Sequence, residues 1–436
     1  MKKTPFWWED AEPQHAERTI DQEACATLIV GAGYTGLSAA ITLAEAGMSN
    51  VVVVEAQRIG EGASSRNGGQ IGNAPKFDLN YATRKFGARR AAEIMEDYRE
   101  AMPFLLRRAK TLSDPFDLRL CGAVTGAHTR ADLEKLRAIR ATLPPNEQAD
   151  FEILEEHEVS RAIKTRIYRG AMIKHDQGSL HPAKYVQALA NRARALGVRI
   201  FTGIRYMGAL RDVAGYRATL HDAQVGRQVT LHANQILLAV NGYAGPELAW
   251  LRKRIIPVQS YMIATEPLPF EKLEELLPGN RPAGDTKHVL YYYRRSPDGT
   301  RMLFGGRARF RTSTEEQSAE GLRRYMEHTF PELKGVTVSH SWSGNVSFAY
   351  DFTSHVGQMP DGLHYSSCYN GNGISMATYM GHRAAELILG HEGADRGIVN
   401  THFPQLYFYN GHPWFLPVVG GWYRFQDKWA RWREGS

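Results

Sequence analysis

Residues 27–40 read TLIVGAGYTGLSAA, a short apolar run, a glycine turn and then small and apolar residues at helical spacing. The helical run ends at Gly47, and Val51-Val-Val-Val-Glu55 follows, so the segment predicts β-α-β. Within Gly31-Ala32-Gly33-Tyr34-Thr35-Gly36 each glycine has its own task. The first turns the chain tightly off the strand, the second clears a side chain where a pyrophosphate approaches the backbone, and the third lets helix and strand pack closely. The helix start offers unpaired N–H groups and a positive dipole end to phosphate. Glu55 stands 24 residues beyond Gly31, at the end of the second strand, where a carboxylate can accept from ribose hydroxyls. That acid repels a 2′-phosphate and leaves NAD or the adenosine half of FAD. The position near the N-terminus favours FAD, but the fingerprint is compatible with both.

The next stretch, GEGASSRNGGQIGN (60–73), holds five glycines, two serines, an arginine and two asparagines and cannot build a core. It begins five residues after Glu55, on the rim where open α/β sheets bind ligands. It is therefore expected to touch the cofactor. Small residues let the backbone approach a flat ring, Ser64 and Ser65 offer hydroxyls, and Arg66, Asn67 and Gln70 offer polar contacts.

GAGYTGLSAA followed by VVVVEAQRIGEGASSRNGGQ resembles the FAD-dependent amine and amino-acid oxidoreductases of the D-amino-acid-oxidase-like family, above all its gamma-glutamylputrescine oxidase branch. Further segments follow the same pattern: Ile236–Gly242, breaking at Asn241-Gly242; Trp342-Ser-Gly344; Asp351 and His355-Val-Gly357; and Tyr369-Asn-Gly371-Asn372-Gly373-Ile374. The resemblance spans roughly residues 20–390. It implies a Rossmann-like FAD-binding domain interleaved with an antiparallel-sheet substrate domain, α/β in type and α+β overall. The cofactor domain would take 20–80, 178–257 and 338–400, and the helical cover and substrate domain 81–177 and 258–337. The expected FAD contacts are Gly31 to Gly36, Glu55, Ala56, Arg58, Ser64 to Asn67, Gly68, Gly69, Gln70, Asn241, Gly242 and Gly371 to Ile374. A helix from about Ile374 to Leu389 would aim its N-terminus at the flavin N1–C2=O locus. Members that oxidise N-methyl amino acids carry a lysine soon after the final glycine loop, where Ile374, Ser375 and Met376 stand here. Oxygen-reactive members often carry one in a strand comparable to Met302–Gly306, where none stands. A free α-carboxylate is thus a less secure part of the substrate, and the acceptor is oxygen or another oxidant.

Elsewhere the periodicity predicts helices over Asn80–Lys110, Ala131–Thr142 and Pro182–Leu196, two short strands in Phe116–Ala127, and a connector at Pro144-Pro145-Asn146. From Ile255 to Phe310 the pattern turns antiparallel, with strands Val258–Thr265, Val289–Arg295 and Arg301–Arg307. On this wall Gln259, Tyr261, Tyr291 and Tyr293 are candidates to face substrate. Period-2 alternation puts Tyr292 on the opposite face from its neighbours, and strand tyrosines more often pack than catalyse. His355 matches a family position without an assigned role.

At 436 residues the chain has room for two domains and a large ligand. The formal net charge is +7, but the basic residues are scattered, which argues against a nucleic-acid partner. Three isolated cysteines point to a reducing, cytoplasmic compartment, and with no clustered Cys/His motif no metal site is expected. In 401–436, Trp422, Phe425, Trp429 and Trp432 recur at intervals of 3, 4 and 3 between arginines and lysine. Such a helix either docks its aromatic stripe on the body, the simpler expectation, or contacts a membrane surface. The function expected is oxidation of a small amine or amino-acid derivative by hydride transfer to FAD. The rivals are a dehydrogenase of a hydroxy acid or glycerol phosphate and a non-catalytic dinucleotide-binding or tRNA-modification partner.

Overall fold

A computed structural model of the chain describes residues 1–17, 19–72, 75–306 and 314–435. Asn73, the expected strand end at Arg307 and the end of the expected antiparallel stretch at Phe310 lie outside them. The glycine fingerprint sits where β1 (Ala24–Val30) passes into α1 (Tyr34–Glu45), and β2 (Val51–Glu55) follows in parallel beside β1. Leu28, Ile29 and Val51–Val54 are buried, because both faces of this sheet are covered and a parallel strand then needs apolar side chains on both sides. The sheet runs 355–358, 364–367, 227–238, β1, β2, 199–202, with the first pair antiparallel and the rest parallel. One face is packed by α1, Pro182–Ala195 and Gly373–Leu389. Its other face carries an antiparallel meander, Ile204–Asp212 and Gly215–Asp222, which grows from the long strand Arg227–Leu238.

A second eight-stranded sheet, antiparallel but for one pair, orders 338–348, 256–265, 302–306, 291–295, 283–285, 123–126, 170–174 and 151–155. The helix Glu315–Thr329 packs on one of its faces. Residue 338, the expected start of the last cofactor-domain segment, is the first residue of a strand paired with Ile256–Thr265 in this second sheet.

Two expectations change. The helix expected over 80–110 is two helices, Leu79–Phe86 and Ala88–Ala109, because Gly87 at φ +79° ends the first. Only one strand, Ala123–Gly126, forms within 116–127. Asp117 and Gly122 take left-handed conformations, and Arg119 makes an isolated bridge to Ser179.

Candidate active site

The cradle is built first from bare backbone. Gly31 has φ +109°, and a Cβ there would stand 2.8 Å from the Ala239 carbonyl oxygen, so neither the turn nor the space admits a side chain. Gly33 precedes α1, and a Cβ on it would lie 2.9 Å from Ser64 Oγ. A Cβ on Gly36 would overlap the Gly31 carbonyl, which fixes Gly36 as packing rather than contact. Glu55 accepts from the backbone N–H of Ala32 and of Gln57, both at 3.0 Å. Burial holds its carboxyl above the ordinary range, a rise that those two donors offset only in part. Its carboxylate still borders the cavity, where further lone pairs can meet hydroxyls.

A cavity of about 400 Å³ opens along this cradle. Of the expected contacts, Gly31, Gly33, Tyr34, Thr35, Glu55, Ala56, Ser64, Asn67, Asn241, Gly371 and Gly373 line it. Around Gly371, at φ +97°, and Gly373 a Cβ would meet no atom within 4 Å, and Gly373 opens the helix Gly373–Leu389. Glycine-lined backbone, helix starts at two points of one cavity and an acid at the end of β2 fit a diphosphate-linked dinucleotide.

The serine and arginine run is clamped from a distance. Asn67 donates to the carbonyls of Ala63 and Ser64, both 3.0 Å, and to Tyr34 Oη at 3.1 Å, while its Oδ1 accepts from Gly69 N–H at 2.9 Å. Above it, the Trp7 indole donates to the Asn67 carbonyl at 2.8 Å, Trp8 to Ser65 Oγ at 3.0 Å, and Trp342 to the Arg66 carbonyl at 2.8 Å. The Arg66 guanidinium lies 4.6 Å over the Trp8 ring and donates to the Glu61 carbonyl, and burial lowers its pKa. Arg58 is engaged in ion pairs with Glu61 and Glu12 and does not line the cavity. Gly68 backs against Tyr292, Gly69 and Leu180 accept from the buried Arg294, and Gln70 donates to the Ala283 carbonyl at 3.2 Å. Ala32 and Ile374 are core residues, Gly242 packs beside Asn345, and Asn372 is the residue before the helix. Sequence reasoning missed Trp7 and Trp8. It also missed Asn345, Val346, Ser347 and Tyr243, which line the cavity from strand 338–348 and the turn after strand 227–238. Two adjacent tryptophans in a polar leader were the only signal for the clamp.

The tyrosine wall faces otherwise than expected. Tyr261 and Tyr293 are fully buried under Glu315–Thr329. Tyr293 stacks on Phe304 (5.4 Å, 5°) and shares a hydrogen bond with Tyr168, while Tyr291 stacks on Tyr325. Tyr261 donates to Gln259 Oε1 at 2.6 Å, and Gln259 donates to Ser343 Oγ at 3.0 Å. None of these four lines the cavity. Tyr292 is the member of the triplet turned toward the cofactor loop, with its hydroxyl 2.9 Å from Ser260 Oγ. His355 is buried between Thr353, Asp351 (3.1 Å) and the Phe403 ring. Burial lowers the His355 pKa, and it would raise that of Asp351 but for His355 and Lys85, which hold the carboxyl well below its usual range. This is an internal brace beside the glycine loop, not a cavity wall.

A family model described as FAD dependent oxidoreductase (DAO) matches residues 26–387. Gamma-glutamylputrescine oxidoreductase of Escherichia coli (strain K12) is 29% identical over 411 residues, which cover 93% of each chain. Among solved structures, glycine oxidase from Geobacillus kaustophilus superposes with a TM-score of 0.66 at 19% identity, covering 89% of this chain and 99% of that one. L-proline dehydrogenase from P. horikoshii does so at 0.66 and 16%, covering 86% and 96%. With the dinucleotide cradle in place and the family model spanning most of the sequence, the chain belongs to the FAD dependent oxidoreductases of the DAO family.

Proposed function

We propose that the chain oxidises a small primary or secondary amine or amino-acid derivative, with gamma-glutamylated amines of the putrescine type the first to test. The observation that carries this reading is the end-to-end similarity to gamma-glutamylputrescine oxidoreductase. Bound FAD supplies the acceptor for a hydride leaving the carbon beside the nitrogen, and water then converts the resulting imine to a carbonyl compound and ammonia, or an amine where the substrate is secondary.

Gly31, Gly33 and the start of α1 would hold the diphosphate, Glu55 the ribose, and the loop from Ser64 to Asn67 with Gly371 and Gly373 the ring end. Residues 345–347 and 370–373 read Asn-Val-Ser and Asn-Gly-Asn-Gly and bring no carboxylate, imidazole or amine to that stretch of wall. Amide, hydroxyl and backbone groups can orient a substrate and exclude water there without proton transfer to a strong base. The N-terminus of Gly373–Leu389 favours negative charge developing beside it.

The test is anaerobic mixing of the purified flavoprotein with gamma-glutamylputrescine, putrescine, glycine, proline, lactate and glycerol phosphate, followed by flavin absorbance. Loss of oxidised absorbance with an amine supports the reading. Loss with lactate or glycerol phosphate alone, or with none of the panel, overturns it.

A further inference from the structure

The helix Leu416–Gly435 meets the body through Tyr423, Asp427, Arg431 and Glu434. Asp427 accepts from the backbone N–H of His288 and Val289, both at 3.0 Å, and Glu434 from that of Arg130. Arg431 donates to the His128 carbonyl at 2.7 Å, and Tyr423 stacks on His288 with centroids 5.2 Å apart. Asp427 and Glu434 are the helix's only acidic residues, and both point inward. The simpler expectation, an aromatic stripe docked on the body, is therefore reversed: the polar face docks.

The outward face carries Val418, Trp422, Phe425, Trp429 and Trp432, which are 74%, 56%, 53%, 43% and 63% exposed. Their spacing at i, i+4, i+7, i+11 and i+14 makes one straight stripe. The four rings follow one another at 5.7, 6.0 and 5.1 Å. At 100° per residue, exposed Lys428 and Arg433 fall on opposite flanks of that stripe, and the Arg433 guanidinium lies 5.1 Å over the Trp429 ring. Four of the chain's eight tryptophans lie between 414 and 432.

We propose that this face is a docking surface for an anionic lipid bilayer, with the helix lying in the plane of the headgroups. Charge decides between occupants. A second copy laid face to face would set Lys428 and Arg433 against the same cations with no acid on the stripe to offset them. Anionic headgroups meet cations on both flanks, and indole rings suit a boundary apolar on one side and wet on the other. No helix among the described residues is long and apolar enough to cross a membrane, so contact is at the surface.

The experiment is flotation of the full-length flavoprotein with vesicles of phosphatidylcholine alone or mixed with phosphatidylglycerol, with its mass in solution read by sedimentation. The unchanged chain should float with the anionic vesicles and be released by high salt. Trp429→Ser combined with Trp432→Ser should cut that binding roughly tenfold, in keeping with loss of inserted apolar area. Lys428→Glu with Arg433→Glu should remove the preference for anionic lipid, and all forms should retain flavin. Failure of the unchanged chain to float overturns the proposal. So does equal flotation of all three forms, or a dimer that the tryptophan substitutions convert to monomer without any lipid binding.

Discussion

At the scale of single residues, tryptophans that do not touch the cavity hold the cofactor loop. Trp7 is fully buried, gives its indole N–H to Asn67 and meets the His181 ring edge at 4.9 Å. Trp7→Ala removes a large core side chain, worth about 3–5 kcal/mol, and leaves the Asn67 carbonyl without its donor. The expected outcome is a lower melting temperature and weaker FAD retention, measured by flavin absorbance per protein after dialysis. Glu55→Gln keeps the size of the side chain but has one acceptor oxygen for two backbone donors, an unpaired-donor cost of about 1–3 kcal/mol. Titration of apoprotein with FAD should show affinity falling by roughly tenfold or more. His181 gives a pH dependence with a definite sign. Its Nδ1 accepts from Lys184 N–H at the start of Pro182–Ala195, so the ring is held neutral, and burial lowers its pKa from 6.5 to about 3. The unfolded chain then binds the proton that the folded one refuses. The contribution is present above about pH 6.5 and is lost as pH falls toward 3, at up to about 1.4 kcal/mol per unit. His181→Asn, which preserves the cap, should flatten that slope in denaturant unfolding measured from pH 7 down to 4.

Among the elements, the crossing of α1 with Gly373–Leu389 ties the first and last parts of the cradle together. Ser38 donates to the Thr378 carbonyl at 2.6 Å, and a Cβ on Gly381 would overlap the Thr35 carbonyl. Gly381→Val should force the helices apart and destabilise the protein by roughly 2–3 kcal/mol, with flavin lost at lower denaturant; thermal melts with and without added FAD measure it. The β-α-β start was legible because buried parallel strands must read as apolar runs and the phosphate turn must read as glycine. The direction of the tyrosine wall was not. Period 2 separates Tyr292 from Tyr291 and Tyr293, but only packing against Gly68 on one side and under Glu315–Thr329 on the other decides which face meets the loop. The clamp was hidden for a different reason: Trp7 and Asn67 are 60 positions apart, and no local pattern links them.

The whole molecule is two sheets threaded by one chain that passes between them repeatedly. Strand 338–348 closes the edge of the second sheet, and the chain then returns as 355–358 to the edge of the first, while 178–179 pairs with 70–71 in a small sheet of its own. Neither sheet can be cut out as a continuous piece. Apoprotein and FAD-loaded protein should each melt in one transition, and FAD at about a hundredfold its dissociation constant should add about 2.7 kcal/mol, read by calorimetry. The start of the chain is part of this threading. Lys2 donates to the Ser339 carbonyl and accepts from Ser341 N–H, placing residues 2 to 8 between the edge of the second sheet and the loop that Trp7 and Trp8 hold. An exopeptidase that nibbles away those first few residues in a cell extract would therefore turn a yellow preparation pale, with every atom of the phosphate cradle still in place.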